Sequence, residues 1–372
     1  MKFPAGAYFL FVSIFICAAL CRGGAAEAVD PSQPVVMGYY PSWNSGLSPE
    51  KINYHLFTHI VHAFITPGKD GAIHAEGNLP SRTLTKLAHD AHVKALLAIG
   101  GEDSGAALSA LTKNAKATDV FIKSVVRMAQ EYGYDGIDVD WEYPDESDRD
   151  NIVHFLQMLR AELVAGNPGA MITMPVPATE FGSKWFDARL AREVDFIQIM
   201  SYELHGPWKN DDGTRYSHSG HNSPLYETDM DPIDGHKQSF QKFVDYWVAK
   251  GFPKNKMLIG IPCLGHGFAV DGWAKEPVRA SGHVDVNYKD VKSLLAAGWV
   301  RHWDAQACVP WLSSPKGGEI ISYDDTQSAS AKGAWAKNAG LSGIFFWEIS
   351  QDYVDGRNEL VEAALKGMGS ER

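Results

Sequence analysis

Four cysteines occur in 372 residues, and no two of them form a C-x-x-C pair. A structural zinc site built on cysteines therefore has no support. Positive charge is also in deficit, with 34 Lys plus Arg against 45 Asp plus Glu and a formal charge of −11. A phosphate backbone or an anionic membrane surface would be repelled, so nucleic acid and membrane are poor partners. Beyond the first 28 residues, no apolar run reaches membrane-spanning length without charges. No Pro/Ser/Thr-rich linker interrupts residues 29–372, and no repeat of about 20–50 residues recurs. These absences favour one domain over two. What is present is the balance of a folded globular protein, 45% apolar and 21% charged. Eleven tryptophans and fourteen tyrosines exceed what a core needs and leave rings for a stacking site.

Residues 1–28 read as an export signal. Lys2 supplies a short positive segment, Ala7 to Leu20 is uncharged and apolar, and Ala26-Glu27-Ala28 has the A-x-A form of a cleavage site. The apolar run is too short for a comfortable membrane span. The expectation is a secreted protein cleaved near Ala28. Cys17 and Cys21 would leave with the signal. Cys263 and Cys308 would remain, either as one disulfide or as two small buried hydrophobes.

The rest of the chain alternates short apolar runs with helical stretches. Candidate strands are Val35–Tyr40, Thr58–Ile65, Lys94–Gly100, Gly136–Trp141, Met171–Pro175, Asp195–Ser201, Met257–Ile261 and Gly343–Trp347. Thr118 followed by Asp119 opens a helix that Gly133 closes, and Ser147-x-x-Asp150 opens another ending near Gly166. Ser48-Pro49 is an N-cap with proline behind it. Eight strands alternating with helices predict a (β/α)8 barrel, with an open doubly wound sheet as the alternative. Against the latter, Tyr-Pro-Ser-Trp follows the first strand instead of a glycine fingerprint. About 80 residues separate the last two strands, and one helix near Gln327–Asn338 cannot fill them. Residues ~264–322 should form an inserted subdomain or large loop, with most of Trp273, Trp299, Trp303 and Trp311 in its core.

The most informative segment runs Tyr134-Asp-Gly-Ile-Asp-Val-Asp-Trp-Glu-Tyr-Pro144. Strand side chains alternate faces, so Ile137, Val139 and Trp141 share one side and Asp138, Asp140 and Glu142 the other. In a barrel the apolar side meets the helices and three carboxyls rise through the interior toward the mouth. They cannot all be comfortably ionised, because burial and like charge raise at least one pKa. A carboxyl that stays protonated near neutrality is what a general acid needs. Glu142 is outermost and has the longest reach, which makes it the natural proton donor. A solvated acidic edge strand would not explain so strict an alternation. A divalent-metal site is the other alternative, although no matching ligand set from other strand ends is evident. His218-x-x-His221 with Asp211 and Asp212 could also suggest a metal, or simply a polar loop after the sixth strand.

Asp135-x-x-Asp138-x-Asp140-x-Glu142, with Trp141, Tyr143 and Pro144 interleaved, resembles the signature of glycoside hydrolase family 18, the chitinases and their relatives. Further likenesses lie at Met37-Gly38-Tyr39-Tyr40 with Trp43, Ala63-Phe64, Ala98-Ile99-Gly100-Gly101, Met200-Ser201-Tyr202-Glu203 with His205-Gly206-x-Trp208, Ile321 to Asp325, and Gly343 to Trp347. Together they cover essentially all of residues 35–350.

The resemblance implies a secreted enzyme without a cofactor, a monomer acting on chitin or chitooligosaccharides. Endo action is favoured over exo. Catalysis would use the substrate's own acetamido group as nucleophile. Glu142 would donate the proton, Asp140 hold the acetamido N–H, Asp138 share a proton with Asp140, and Tyr202 bond the acetamido oxygen. Trp347 would floor the distorted sugar, and Tyr39, Phe64, Gly101, Tyr143, Met200 and Glu203 would line the pocket, with Trp43 stacking a sugar further out. The same acids would serve an endo-β-N-acetylglucosaminidase acting on N-glycans. Some relatives are chitin-binding lectins that lack the glutamate, which is intact here. Three departures touch subsite preference. Many chitinases carry Asp where this chain has Glu203, Trp where it has Glu102, and Arg where it has His266.

Overall fold

The computed structural model describes residues 33–43, 46–180, 182–209, 217–230, 237–277 and 279–370. The export signal and its cleavage site, and Asp211 and Asp212, lie outside them. Eight parallel strands form the frame: β1 (Val35–Pro41), β2 (His59–Pro67), β3 (Lys94–Gly101), β4 (Gly136–Trp141), β5 (Met171–Pro177), β6 (Phe196–Met200), β7 (Met257–Pro262) and β8 (Gly343–Trp347). Each pairs with the next in sequence, β7 with β8 across the insertion included, and β8 pairs β1 to close the ring. The fold is therefore a (β/α)8 barrel. An antiparallel strand, Ile73–Ala75, hairpins back onto the top of β2.

The strands read as buried runs because both faces are covered. Ile137, Val139 and Trp141 belong to the large cluster between barrel and helices. A second, smaller cluster fills the barrel interior and includes Met37, Tyr39, Val61, Ala63, Leu96, Ala98 and Phe345. The period-2 alternation is thus resolved into two separate cores.

The helices are α1 (Arg82–Asp90), α2 (Gly105–Thr112), α3 (Ala115–Tyr132), α4 (Arg149–Gly166), α5 (Phe240–Ala249), α6 (Tyr288–Ala296), α7 (Thr326–Asn338) and α8 (Glu359–Gly367). Between β5 and β6 the described residues of the crossover form a short 3-10 turn, Ala188–Arg192. Gly133 ends α3 at φ +80°, a left-handed conformation that suits glycine. Two expected helix starts move. α3 begins a turn before Thr118, because the Asn114 side chain accepts from the Ala117 amide. The capping box before α4 is Asp145 with Asp148, not Ser147 with Asp150: the two carboxylates reciprocally accept the backbone amides of a 3-10 turn, Glu146–Asp148. Ser48 precedes another short turn, Pro49–Lys51, but its side chain accepts no capping bond.

Between β7 and β8, five antiparallel strands form a separate sheet, in the order Asp285–Asn287, Leu264–Phe268, Ile320–Ser322, Val309–Ser313 and Val300–Asp304. With α6 it packs around Val286, Val291, Trp299, Leu312, Ile321 and Tyr323. Trp273 and Trp311 close its other face against Phe268, Val270 and Ile320. Trp303 is only partly buried, beneath the Arg301 guanidinium. The sheet stands beyond the C-terminal ends of the strands, where barrels build their sites. Cys263 and Cys308 are both free thiols, so the disulfide alternative does not hold. Cys263 sits in the outer core as a small hydrophobe.

Candidate active site

Asp138, at the middle of β4, is fully buried in the barrel interior. Three neighbours from three other strands point donors at it. Tyr39 Oη on β1 bonds Oδ2 at 2.9 Å, Gln198 Nε2 on β6 bonds Oδ1 at 2.8 Å, and Thr173 Oγ1 on β5 also bonds Oδ1. Burial lifts the carboxyl to about 6 against these three bonds, which pull it down. Asp140 lies one inward step higher and is also buried. Burial raises its pKa well above the usual range, with the Glu142 and Asp138 carboxyls adding to the rise. Its Oδ1 is buried and has no hydrogen-bond partner.

Glu142 follows directly on β4 and reaches the mouth. Burial lifts its carboxyl to about 7, opposed by a hydrogen bond from Tyr143 and reinforced by Glu203, Glu102 and Asp103. The acid stack therefore holds protons near neutral pH, as a proton donor must.

The end of β4 is clamped from β3 and the start of α2. Ser104 Oγ donates to the Asp140 carbonyl at 3.1 Å and accepts the Glu142 amide at 3.2 Å. The Gly105 amide donates to the Glu142 carbonyl at 2.9 Å. A Cβ on Gly105 would lie 2.8 Å from that carbonyl oxygen and from the Tyr143 nitrogen.

A line of rings crosses from the interior to the surface. Tyr39 meets Trp347 edge-on at 5.4 Å, Trp347 stacks on Phe64 at 5.7 Å, and Phe64 stacks on Trp43 at 6.1 Å. Trp43, at the end of this line, is 55% exposed. Gly101 lies against Phe64, where a Cβ would come within 2.7 Å of the ring. Tyr202 packs edge-on to Phe345 at 5.9 Å and is close enough to Asp140 and Glu142 that their charges, after burial, raise its hydroxyl. Room for it is made by Gly260 on β7, where a Cβ would sit 2.6 Å from the tyrosine ring. Met200 packs against the interior cluster, and Tyr143 flanks Glu142 with Gly182 beneath its ring.

Thr173, Ser104, Gly105 and Gly260 were not singled out by sequence reasoning, whereas Gln198 shares an inward strand face with Met200 and Tyr202. Thr173 carried a signal, being a polar residue at an inward position of an otherwise apolar strand. The others act only through contacts with distant segments, which no local pattern encodes.

Glu203 stands at the rim, half-exposed, with φ +56°. Its amide is fixed by the Asn222 Oδ1 at 2.8 Å. His266, buried on the first strand of the inserted sheet, lies between Glu203 and Asp285 under Trp208. The His221 ring of the suspected metal cluster instead bonds Asp304 at 3.0 Å and packs on Trp273. Among the described residues no group of His, Cys, Asp and Glu could hold a metal ion.

A parallel barrel with a graded stack of acids on its fourth strand and an aromatic line beside it defines a glycosidase-type site. Residues 35–352 match the model of glycosyl hydrolases family 18, and the chain belongs to that family. It is a glycoside hydrolase by membership. Among curated relatives, a probable endochitinase of Caenorhabditis elegans is 32% identical over 84% of this chain and 55% of its own length. A chitinase-like effector of Moniliophthora roreri is 31% identical over 90% of this chain and 93% of its own. The chain thus spans about half of the first relative and nearly all of the second. Among solved structures, a group IV chitinase of Ostrinia furnacalis in complex with allosamidin superposes with a TM-score of 0.81 at 26% identity, covering 91% of this chain and all of the other. An immunomodulatory active chitinase from Trichuris suis gives 0.81 at 27% identity, again over 91% of this chain and all of the other.

Proposed function

We propose that the chain is a secreted chitinase that cleaves β-1,4 links between N-acetylglucosamine units, with the substrate's acetamido group as nucleophile and net retention at the anomeric carbon. The observation that carries this reading is the pairing of a protonated Glu142 with an open, buried Asp140 acceptor one inward step below it. With Asp140 read as the acetamido acceptor and not as a nucleophile, the stack fits the family's exception to the two-carboxylate scheme.

In the proposed cycle the Glu142 proton moves to the glycosidic oxygen as the C1–O bond breaks, and the leaving sugar departs as an alcohol. The acetamido carbonyl oxygen bonds C1 and closes an oxazolinium ring. Asp140 Oδ1 accepts the acetamido N–H and stabilises the charge that develops there. Asp138, fixed by its three donors, can take up or return a proton as Asp140 changes partner. Tyr202 donates its hydroxyl to the acetamido oxygen. Glu142, now a carboxylate, removes a proton from water, which attacks C1 and reopens the ring. The rings of Trp347, Phe64 and Trp43 offer faces to the C–H sides of successive sugars.

Endo action on a chain threaded along the aromatic line, a monomeric state and cleavage of the leader near Ala28 belong to the same proposal. The N-terminal pattern of Lys2, the apolar run and Ala26-Glu27-Ala28 supports export. Intact mass of protein recovered from the medium tests it.

The deciding experiment incubates a chitin hexasaccharide with wild type and with Glu142→Gln and follows products by mass spectrometry. Wild type should give shorter oligomers, their sizes reporting endo or exo action, and the variant should lose at least ~10²-fold in turnover. A freshly released β-anomer by NMR supports retention. Intact hexamer with wild type, alongside cleavage of an N-glycan, would move the substrate to N-glycans. Survival of both would leave a binding protein.

A further inference from the structure

Tyr202 stands where no strand holds it. β6 pairs with β5 as far as Met200 and with β7 only as far as Ile199. Past that point the Ser201 amide turns back onto the Ile199 carbonyl at 2.8 Å and the ladder ends. The tyrosine ring packs edge-on to Phe345 and against the bare backbone of Gly260. Such contacts are non-directional and fix no depth. Among the described residues the Tyr202 hydroxyl makes no hydrogen bond. To meet an acetamido oxygen it must nevertheless be placed to a few tenths of an ångström. That precision has to come through the backbone.

Two adjacent residues from the loop after β6 supply it. Ser223 Oγ donates to the Ser201 carbonyl at 2.6 Å, in the peptide group before Tyr202. Asn222 Oδ1 accepts the Glu203 amide at 2.8 Å, in the peptide group after it. The Asn222 carbonyl accepts the Leu204 amide at 3.1 Å. These two bonds grip the turn in which Glu203 takes φ +56°, a left-handed conformation that a Cβ disfavours. Both Asn222 and Ser223 are buried.

The same pair is anchored on its far side. The Asn222 amide donates to Ser322 Oγ at 2.8 Å, and its Nδ2 donates to the Leu264 carbonyl at 3.0 Å. Ser322 and Leu264 lie on two neighbouring strands of the inserted sheet. Ser223 Oγ accepts from the buried Lys332 Nζ at 2.8 Å. Every polar group of Asn222 is therefore in use, two toward the end of β6 and two toward the insertion. Aspartate would lack the donor and alanine both side-chain bonds.

We propose that Asn222 and Ser223 are positioning residues for Tyr202, transmitting the placement of the inserted sheet to the tyrosine hydroxyl. The proposal rests on the chitinase reading, in which that hydroxyl bonds the acetamido oxygen as the ring closes. The insertion is then a part of the catalytic framework, because the last peptide groups of the β6 segment are fixed by it.

The test is a double-variant cycle on kcat with a chitin hexasaccharide, built from Asn222→Ala, Ser223→Ala and Tyr202→Phe. Asn222→Ala alone should lower kcat by about tenfold or more, as for a slightly misplaced reacting group. Ser223→Ala should lower it by less, since it leaves every Asn222 bond in place. In the Tyr202→Phe background either change should alter kcat by no more than about twofold, because the hydroxyl they place is gone. Equal fold-losses in the two backgrounds are the additivity of independent sites and overturn the proposal. Wild-type kcat in both single variants overturns it as well. If Asn222→Ala does not fold, the Ser223→Ala cycle decides alone. Wild-type turnover by Tyr202→Phe overturns the proposal and leaves the chitinase reading standing. A hexamer left uncut by wild type removes the chitinase reading itself, and this proposal with it.

Discussion

At the scale of single residues, the pKa order along β4 sets the behaviour of the site. Glu142 must be protonated to act, so kcat/KM of the free enzyme should fall as pH rises through about 7, where that carboxyl ionises. Glu203 is one of the charges that hold the proton on Glu142. Its removal lowers the Glu142 pKa, and the alkaline limb of a pH–rate profile for Glu203→Gln should shift to lower pH. A limb that stays in place or moves to higher pH would show that Glu203 does not act on the acid. Tyr202 offers a second handle. Tyr202→Phe keeps the ring contact with Phe345 and loses only the hydroxyl. Turnover should drop by about 10- to 1,000-fold with KM nearly constant, as for removal of one transition-state donor. Wild-type turnover would take the hydroxyl out of the reaction.

At the scale of elements, the active carboxyls are held by a joint between β4 and α2 as much as by β4 itself. Ser104 bonds β4 on either side of Trp141, at the Asp140 carbonyl and the Glu142 amide, and Gly105 approaches too closely to carry a side chain. A methyl at Gly105 must push the Glu142–Tyr143 peptide, because the atoms it meets are backbone and cannot rotate away. Gly105→Ala should reduce kcat by tenfold or more through displacement of Glu142, with an unfolding cost of about 1–3 kcal/mol typical of overpacking. Steady-state kinetics beside urea unfolding separates the two. Loss of stability with unchanged kcat would mean that the joint serves the fold alone.

At the scale of the whole molecule, the inserted sheet and the barrel are joined through a buried ion pair. Lys332 on α7 and Asp324, just past the last insertion strand, are both fully buried, with Nζ 2.7 Å from Oδ2. Nζ also donates to Ser223 Oγ at 2.8 Å, and that hydroxyl donates to the Ser201 carbonyl next to Tyr202. Lys332→Met strands the Asp324 carboxylate in the interior and should destabilise the protein by about 3–5 kcal/mol. The double variant Lys332→Met/Asp324→Leu should recover most of that loss, since an apolar pair of similar volume replaces the charges. Denaturant midpoints of the two variants check this. Equal destabilisation in both would assign the effect to packing rather than charge.

Much of the architecture was legible in the residues, and the reason is periodicity. β4 and β8 run over the expected residues, and the ends of the other six differ from expectation by one or two residues. Apolar runs of strand length are a local signal that burial on both faces enforces. The alternation of Ile137, Val139 and Trp141 with Asp138, Asp140 and Glu142 likewise dictated which side meets the helices and which lines the interior. Helix starts were less secure, because any Ser, Thr, Asp or Asn near a turn can cap; Asn114 and Asp145 prevailed over Thr118 and Ser147 through their own backbone contacts. The fate of Cys263 and Cys308 was likewise undecidable from spacing and was settled by where each strand end fell. Only the tertiary structure could bring Tyr39, Thr173 and Gln198 around Asp138, since these donors come from three strands 35 to 99 residues away in the chain. It alone left Asp140 Oδ1 without a hydrogen-bond partner. Local order follows from neighbours in sequence, whereas the protonation and open valences of the site depend on burial, which closure of the barrel creates.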